Sequence, residues 1–238
     1  MGRVIVFASS KGGSGKTTVV ANLGVAMAQL GQNVVILDAD LMMADLGLML
    51  SMEEQKTTLH DVLAGEAKLS DAIYKGPGGV RVVPSGVSLE GIQRARLERL
   101  KKVVSELSKT SKFLLIDAPS GLERDAITAI TMAQEAILVS TPDIISLLNA
   151  LKTKLVAERF GVKIIGTVIT RATNSKSDIP IEGIKSALET PVLAAIPEDP
   201  EIRRLVALGE PVVTHSPRSP AAREFKRLAA ALVKVSEA

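Results

Sequence analysis

Two lysines, three glycines and a pair of threonines are packed into eight residues: positions 11–18 read Lys-Gly-Gly-Ser-Gly-Lys-Thr-Thr. Across Gly12, Gly13, Ser14 and Gly15, small or absent side chains let successive backbone N–H groups turn toward one anion. A helix starting at Lys16 adds the partial positive charge of its N-terminus. Lys16 has the reach to touch outer phosphates, the Thr17 hydroxyl suits a hard divalent ion such as Mg²⁺, and Thr18 extends the cradle. The strict pattern G-x-x-x-x-G-K-[ST] calls for glycine where this chain has Ser10. The loop is therefore a variant with an additional cation, Lys11. That lysine either reaches phosphates held by a second copy of the chain, neutralising charge as the terminal phosphate leaves, or stands solvated beside an ordinary nucleotide site.

Three aspartates fit around such a loop. Asp117 closes the apolar run Phe113-Leu114-Leu115-Ile116, and Asp38 closes Val34-Val35-Ile36-Leu37. In an open parallel sheet, ligands lie beyond the carboxyl ends of the strands, which places both carboxylates beside the phosphates. Asp117 would hold Mg²⁺ through a water while Thr17 binds it directly, and Asp38 would serve the metal's outer sphere. Asp40 stands further out, where a carboxylate can orient an attacking water and accept its proton. Helix capping and turn formation are the ordinary alternatives for each aspartate. Gly121 offers a backbone N–H to sense the terminal phosphate, which would make 117–124 a segment ordered by nucleotide and released after hydrolysis.

The elements that must position these groups are legible in the apolar pattern. Strands are expected at 4–8, 33–37, 80–83, 113–116, 136–140, 163–169 and 192–196. Helices are expected near 16–30, 92–109, 122–133, 144–160, 181–188, 199–208 and 220–234. Continuously apolar strands alternating with helices imply a mostly parallel sheet of seven or eight strands, covered by helices on both faces. No repeat, low-complexity tract or linker interrupts the chain, so one α/β domain is expected over 1–238.

Composition narrows the function classes. The chain has 238 residues, 46% hydrophobic and 2% aromatic, so its core is built mainly from Val, Ile, Leu and Ala. Zero cysteines remove disulfides, thiolate metal sites and thiol nucleophiles. No apolar run reaches the roughly 18–20 residues that span a bilayer, and the N-terminus leads straight into a strand, so a cytoplasmic location is expected. The net charge of +3 is too small to imply a nucleic-acid partner by itself. Basic residues do cluster between Arg94 and Lys112, but Leu97, Leu100, Val103, Val104 and Leu107 fall at helical spacing and should face a core, leaving the charges on a solvated face. His60 and His215 are lone histidines without metal-ligand spacing and receive no chemistry.

Taken together, these residues resemble the deviant-Walker P-loop ATPases of the MinD/ParA group. KGGSGKTT at 11–18 is similar to the group's signature loop, VVILDADLMMADL at 34–46 to its switch I and FLLIDAPSGL at 113–122 to its switch II. TLHDVLAGEA at 58–67, GVSLEG at 86–91 and SPAAR at 219–223 resemble the archaeal MinD proteins. The resemblance implies ATP and Mg²⁺ as ligands, catalytic roles for Lys11, Lys16 and Asp40, and an ATP-dependent homodimer in which Lys11 of each copy contacts the other's phosphates. It also implies placement of cell-division or other machinery by reversible membrane binding, with a cargo or activating protein that the sequence does not identify. IPEDPEIRR at 196–204 looks like the segment that lies against the base, which assigns Pro197 and Glu198 to it.

The chain departs from the group in two places. Thr170-Arg171 stands where an Asn-Arg pair contacts adenine, and a threonine hydroxyl cannot make the paired amide contact. Thr141-Pro142-Asp143, Ile145 and Asn149 replace Asn-Pro-Glu, Ser and Asp in the segment of dimer and partner contacts. In the last helix, Ala222, Phe225, Leu228, Ala229, Leu232 and Val233 form one apolar face, read as packed on the sheet rather than as a lipid anchor. Non-specific DNA binding through 94–112 and 218–227, or nucleotide holding with little turnover, are the competing functions. Iron–sulfur carriers share the loop but need bridging cysteines.

Overall fold

The computed structural model describes residues 1–9, 11–173 and 175–236; Ser10, which marks the departure from the strict loop pattern, lies outside the described residues. The elements run β1 (Arg3–Ala8), α1 (Lys16–Gln29), β2 (Val34–Asp38), α2 (Asp45–Met49), α3 (Leu59–Ala64), β3 (Tyr74–Lys75), β4 (Arg81–Val83), α4 (Leu89–Arg94), α5 (Leu100–Thr110), β5 (Phe113–Asp117), α6 (Arg124–Thr131), β6 (Glu135–Ser140), α7 (Ile144–Arg159), β7 (Lys163–Ala172), α8 (Ile181–Leu188), β8 (Val192–Pro197), α9 (Pro200–Val206), α10 (Val212–His215) and α11 (Pro220–Val235). Short 3-10 turns precede β3, β4 and α5. The strands form one sheet in the order β3-β4-β2-β5-β1-β6-β7-β8. Every neighbouring pair is parallel except β3–β4.

Period-two alternation in β1 splits the core. Ile5 and Phe7 join buried residues of α1, α10 and α11 on one face, whereas Val4, Val6 and Ala8 join those of α3, α5 and α6 on the other. A smaller cluster seats α7 and α8 on Leu138 and Ile169. The expected α/β sheet is thus present with eight strands. Its eighth, β3, is a two-residue antiparallel edge whose Tyr74 pairs with Val82, too short to carry a periodic signal.

One expected helix is broken. The segment 92–109 is α4, an extended Ala95-Arg96 link, a 3-10 turn and then α5. Ser88 caps α4 by accepting from Gly91 N, and the Arg96 N–H donates to Leu63 O, which diverts the chain onto α3 before the helix restarts. Leu100, Val103, Val104 and Leu107 are buried as expected, and Leu97 packs half-buried against them. Helices α2, α3 and α10 are four to six residues long and were not expected; runs this short show no full helical period. Strand β7 continues to Ala172, so Thr170 and Arg171 lie within it rather than after it.

Helix α11 lies on α1 and β8, with Ala222, Phe225, Leu228, Ala229 and Leu232 buried and Arg223, Arg227 and Lys234 exposed. Its apolar face is covered by the protein itself, as the alanine-rich pattern suggests. Phe225 is 0% exposed, so Phe225→Ala should cost about 3–5 kcal/mol of stability. Urea unfolding measures it, and a loss below about 1 kcal/mol would show that α11 is not part of the core.

Candidate functional site

The loop after β1 owes its shape to its glycines. Gly13 and Gly15 take positive φ angles of 74° and 82°, a region that costs other residues about 1 kcal/mol or more. Gly15 caps α1 directly, and its carbonyl accepts from Val19 N at 2.9 Å. The loop, Lys16, Thr17 and Thr18 line a cavity of about 770 Å³, together with Asp40, Arg124, Thr170, Arg171, Pro197 and Glu198. The structure therefore brings most of the expected ligand-binding residues to one opening at the carboxyl edge of the sheet.

Beneath the loop, Lys16 is 5% exposed and its Nζ donates to Asp117 Oδ1 at 2.8 Å. Register places Asp38 beside Asp117 across β2–β5, and the Ala39 N–H donates to Asp117 O at 2.9 Å. Asp38 is fully buried. Its Oδ1 accepts from Asp40 N at 3.1 Å, and its Oδ2 has no partner among the described residues. Burial, with Asp117 close by, pushes the Asp38 carboxyl well above the usual carboxylate range. Asp40 sits further out, its Oδ1 accepting from Met43 N at 3.0 Å, and burial raises its pKa also. Among the described residues, Ser14 Oγ is the other buried side-chain oxygen left without a partner.

Those two orphaned oxygens test whether a magnesium nucleotide fits. A buried polar atom without a partner costs about 1–3 kcal/mol. The Ser14 hydroxyl can donate to a phosphate oxygen, and Asp38 Oδ2 can accept from a metal-bound water. The carboxylate and hydroxyl donors match the preference of Mg²⁺ for oxygen ligands. The residues present fit the group.

Lys11 is exposed, and its Nζ reaches Ser146 Oγ of its own chain at 3.5 Å. Ser146 belongs to the capped first turn of α7: Asp143 Oδ1 accepts from Ser146 N at 2.9 Å and its Oδ2 from Ser146 Oγ at 2.8 Å and from Thr141 Oγ1 at 2.6 Å. Burial works against the Asp143 carboxylate, but these hydroxyls, the Ser146 N–H and the charge of Lys11 outweigh it and hold the pKa down at about 2. The contact with Ser146 was not read from the sequence; the Asp-x-x-Ser capping spacing at 143–146 is the signal that could have found it.

Two other expectations meet different geometry. The Gly121 N–H donates to Ser9 O at 2.9 Å, so in this state it is not free to meet a phosphate. The loop after β5 is drawn onto the end of β1 instead. Thr170 is 5% exposed, and its hydroxyl donates to Ser14 O at 2.6 Å. The hydroxyl that replaces the amide thus braces the phosphate loop. Arg171, exposed and at φ 52°, opens toward the cavity instead. Glu198 also lines the cavity, 4.0 Å from Arg203, while Asp199 caps α9 and accepts from Ala221 N at 3.2 Å, tying this part of the cavity wall to α11.

The chain is similar to known proteins along nearly its whole length. A family model described as ParA, NUBPL iron-transfer P-loop NTPase, matches residues 1–233. An uncharacterized ATP-binding protein of Methanocaldococcus jannaschii is 43% identical over 98% of this chain and 88% of its own length. The crystal structure of the cell division ATPase MinD of Pyrococcus furiosus superposes with a TM-score of 0.94 at 43% identity, covering 99% of this chain and 100% of that one. The septum site-determining protein MinD of Pyrococcus horikoshii, complexed with Mg-ADP, gives a TM-score of 0.94 at 41% identity over 99% and 98% of the two chains. Iron transfer in the family description does not carry over through thiolates, because this chain has no cysteine.

Proposed function

This chain belongs to the ParA/MinD family of P-loop NTPases, and from that premise we propose that it is a slow ATPase, one domain over residues 1–238, that pairs with a second copy when Mg-ATP is bound and separates after hydrolysis. The observation that carries the reading is the pair of buried oxygens without a partner among the described residues, Ser14 Oγ and Asp38 Oδ2, at a site that also holds the Lys16–Asp117 ion pair. A relative complexed with Mg-ADP supports the choice of ligand.

In this reading the loop amides of Gly12 to Thr18 and Ser14 Oγ grip the phosphates. Lys16 would exchange Asp117 for the outer phosphate oxygens, and Thr17, Asp38 and Asp117 are the residues that would hold Mg²⁺. The bound metal supplies charge neutralisation at the transferring phosphoryl group. Asp40 orients the attacking water and takes its proton. Lys11 leaves Ser146 and neutralises charge on the second copy's terminal phosphate, as an arginine finger does. Gly121 exchanges Ser9 O for that phosphate. Thr170, Arg171, Pro197 and Glu198 enclose the base.

The cellular role we propose is nucleotide-switched placement of division or other machinery from the cytoplasm. Contact with the inner face of the membrane is peripheral, through a cargo or activating protein. Support for direct lipid insertion by α11 is weak, because its apolar face is buried, and among the described residues no helix is long and apolar enough to cross a membrane. The DNA-binding alternative has less support: Arg94 pairs with Glu66, Lys102 with Glu106 and Arg227 with Glu224, which dilutes the basic faces.

Light scattering tests the pairing. The wild-type chain should double in mass with Mg-ATP and remain single with Mg-ADP. Lys11→Ala should bind ATP within about threefold of wild type, roughly 0.7 kcal/mol, yet stay single. A wild-type chain that never doubles, or a Lys11→Ala chain that doubles equally well, contradicts the shared site.

A further inference from the structure

His60 has no place in the chemistry above, yet it is 1% exposed on the first turn of α3. Its ring bridges two loops. Nδ1 lies 3.1 Å from Gly86 N, and Nε2 lies 3.0 Å from Leu41 O. A backbone N–H only donates, so Nδ1 is the acceptor. The ring proton is therefore on Nε2 and is donated to Leu41 O. Burial lowers the ring's pKa, which favours this neutral form.

The surroundings are fitted to the ring. A Cβ on Gly86 would stand 3.0 Å from Nδ1, and one on Gly91 would stand 3.2 Å from the His60 Cβ. Asp61 Oδ2 accepts from Thr58 N at 2.7 Å in a capping box that fixes the turn carrying the histidine.

Leu41 directly follows Asp40. At the same turn, Asp38 Oδ1 accepts from Asp40 N, Asp40 Oδ1 accepts from Met43 N, and Ser85 Oγ donates to Asp38 O at 3.0 Å. The first two use carboxylates that the proposed reaction needs for metal and water, and the third holds the turn before Asp40 rather than after it. The Leu41–His60 bond holds the same turn without drawing on either carboxylate. We infer that His60 is a positioning residue for Asp40: by holding Leu41 O it fixes the backbone from which the Asp40 carboxylate aims at the attacking water. It touches no reacting atom. The inference rests on the ATPase reading of the site.

Two substitutions separate the two ring nitrogens. In His60→Gln the amide nitrogen takes the place of Nε2 and keeps a donor for Leu41 O. In His60→Asn the amide oxygen takes the place of Nδ1 and keeps only the acceptor for Gly86 N. With the full chain, three quantities are read: Mg-ATP affinity by calorimetry, single-turnover hydrolysis, and hydrogen exchange of the Asp40–Met43 amides. Both variants should bind Mg-ATP within about threefold of wild type. His60→Asn should exchange faster at 40–43 and hydrolyse about tenfold more slowly or worse, the expected cost of a misaimed group. His60→Gln should restore both readings. Equal impairment of the two variants assigns His60 to packing alone and overturns the inference, as does a His60→Asn chain that turns over normally. Should His60→Asn fail to fold, His60→Gln decides: near-wild-type exchange and turnover support the Leu41 bond, and loss of either overturns it. A wild-type chain that hydrolyses no ATP overturns the ATPase reading instead; unchanged exchange in His60→Asn would then still overturn the tie to Leu41.

Discussion

Lys16→Ala should weaken Mg-ATP binding by at least about a hundredfold, which corresponds to about 2.7 kcal/mol. The ammonium is the buried cation at the loop, with only 4% of its side chain exposed, and bonds between a cation and phosphate oxygens are roughly twice as strong as neutral ones. The same substitution also strands Asp117, whose side chain is 1% exposed. Breaking a buried pair on one side costs about 3–5 kcal/mol of stability. A lost binding signal could therefore come from a loosened fold. Lys16→Met combined with Asp117→Leu separates the effects: apolar replacement of both partners should recover most of the stability, while nucleotide affinity stays lost. Calorimetry with Mg-ATP beside urea unfolding reads both quantities. Retained affinity in either variant removes Lys16 from the site.

Asp40→Ala should do the opposite, leaving ATP affinity within about threefold of wild type while slowing hydrolysis by about 10²–10⁴-fold, the usual contribution of a positioned general base. In the proposed site, ground-state phosphate contacts come from the loop and Lys16, not from Asp40. Asp40→Asn is the sharper variant. It can still accept from Met43 N, so the turn keeps its bond at 3.0 Å, but an amide cannot take the proton. It should be nearly as slow as the alanine form and should trap the ATP-bound pair. The pH profile gives a further check. Burial raises the Asp40 pKa, and a base works only when deprotonated, so turnover should fall as pH drops through that raised value, at milder acidity than for an exposed aspartate. Single-turnover rates across pH measure it; normal rates for Asp40→Asn place the base elsewhere.

The positions of the glycine loop and of the aspartates at 38, 40 and 117 at one edge of the sheet were legible because each follows an apolar strand, and strand ends fix where side chains emerge. The core faces of α5 and α11 were legible for the same reason, through helical spacing. What escaped the sequence depends on contacts between distant segments. The Lys16–Asp117 bond joins residues 101 apart, and the Thr170–Ser14 bond joins residues 156 apart. Periodicity within a window carries no trace of either. Thr170 read as a base contact that had lost its amide; the fold gives its hydroxyl a different partner. Gly121 lies in the loop after β5, but its N–H direction follows from the proximity of Ser9, which only the folded chain supplies. His60 carried no local signal at all, because both of its partners lie in other loops.

In the proposed site, the amides of residues 12–18, Ser14 and Lys16 hold the phosphates of a magnesium nucleotide. A crystal structure with Mg²⁺ and a non-hydrolysable ATP analogue is the test. The expected result is Lys16 Nζ moved from Asp117 to phosphate, Ser14 Oγ bonded to a phosphate oxygen and Asp38 Oδ2 bonded to a metal-bound water. A nucleotide bound elsewhere, with the Lys16–Asp117 pair intact and both oxygens still without partners, would contradict it.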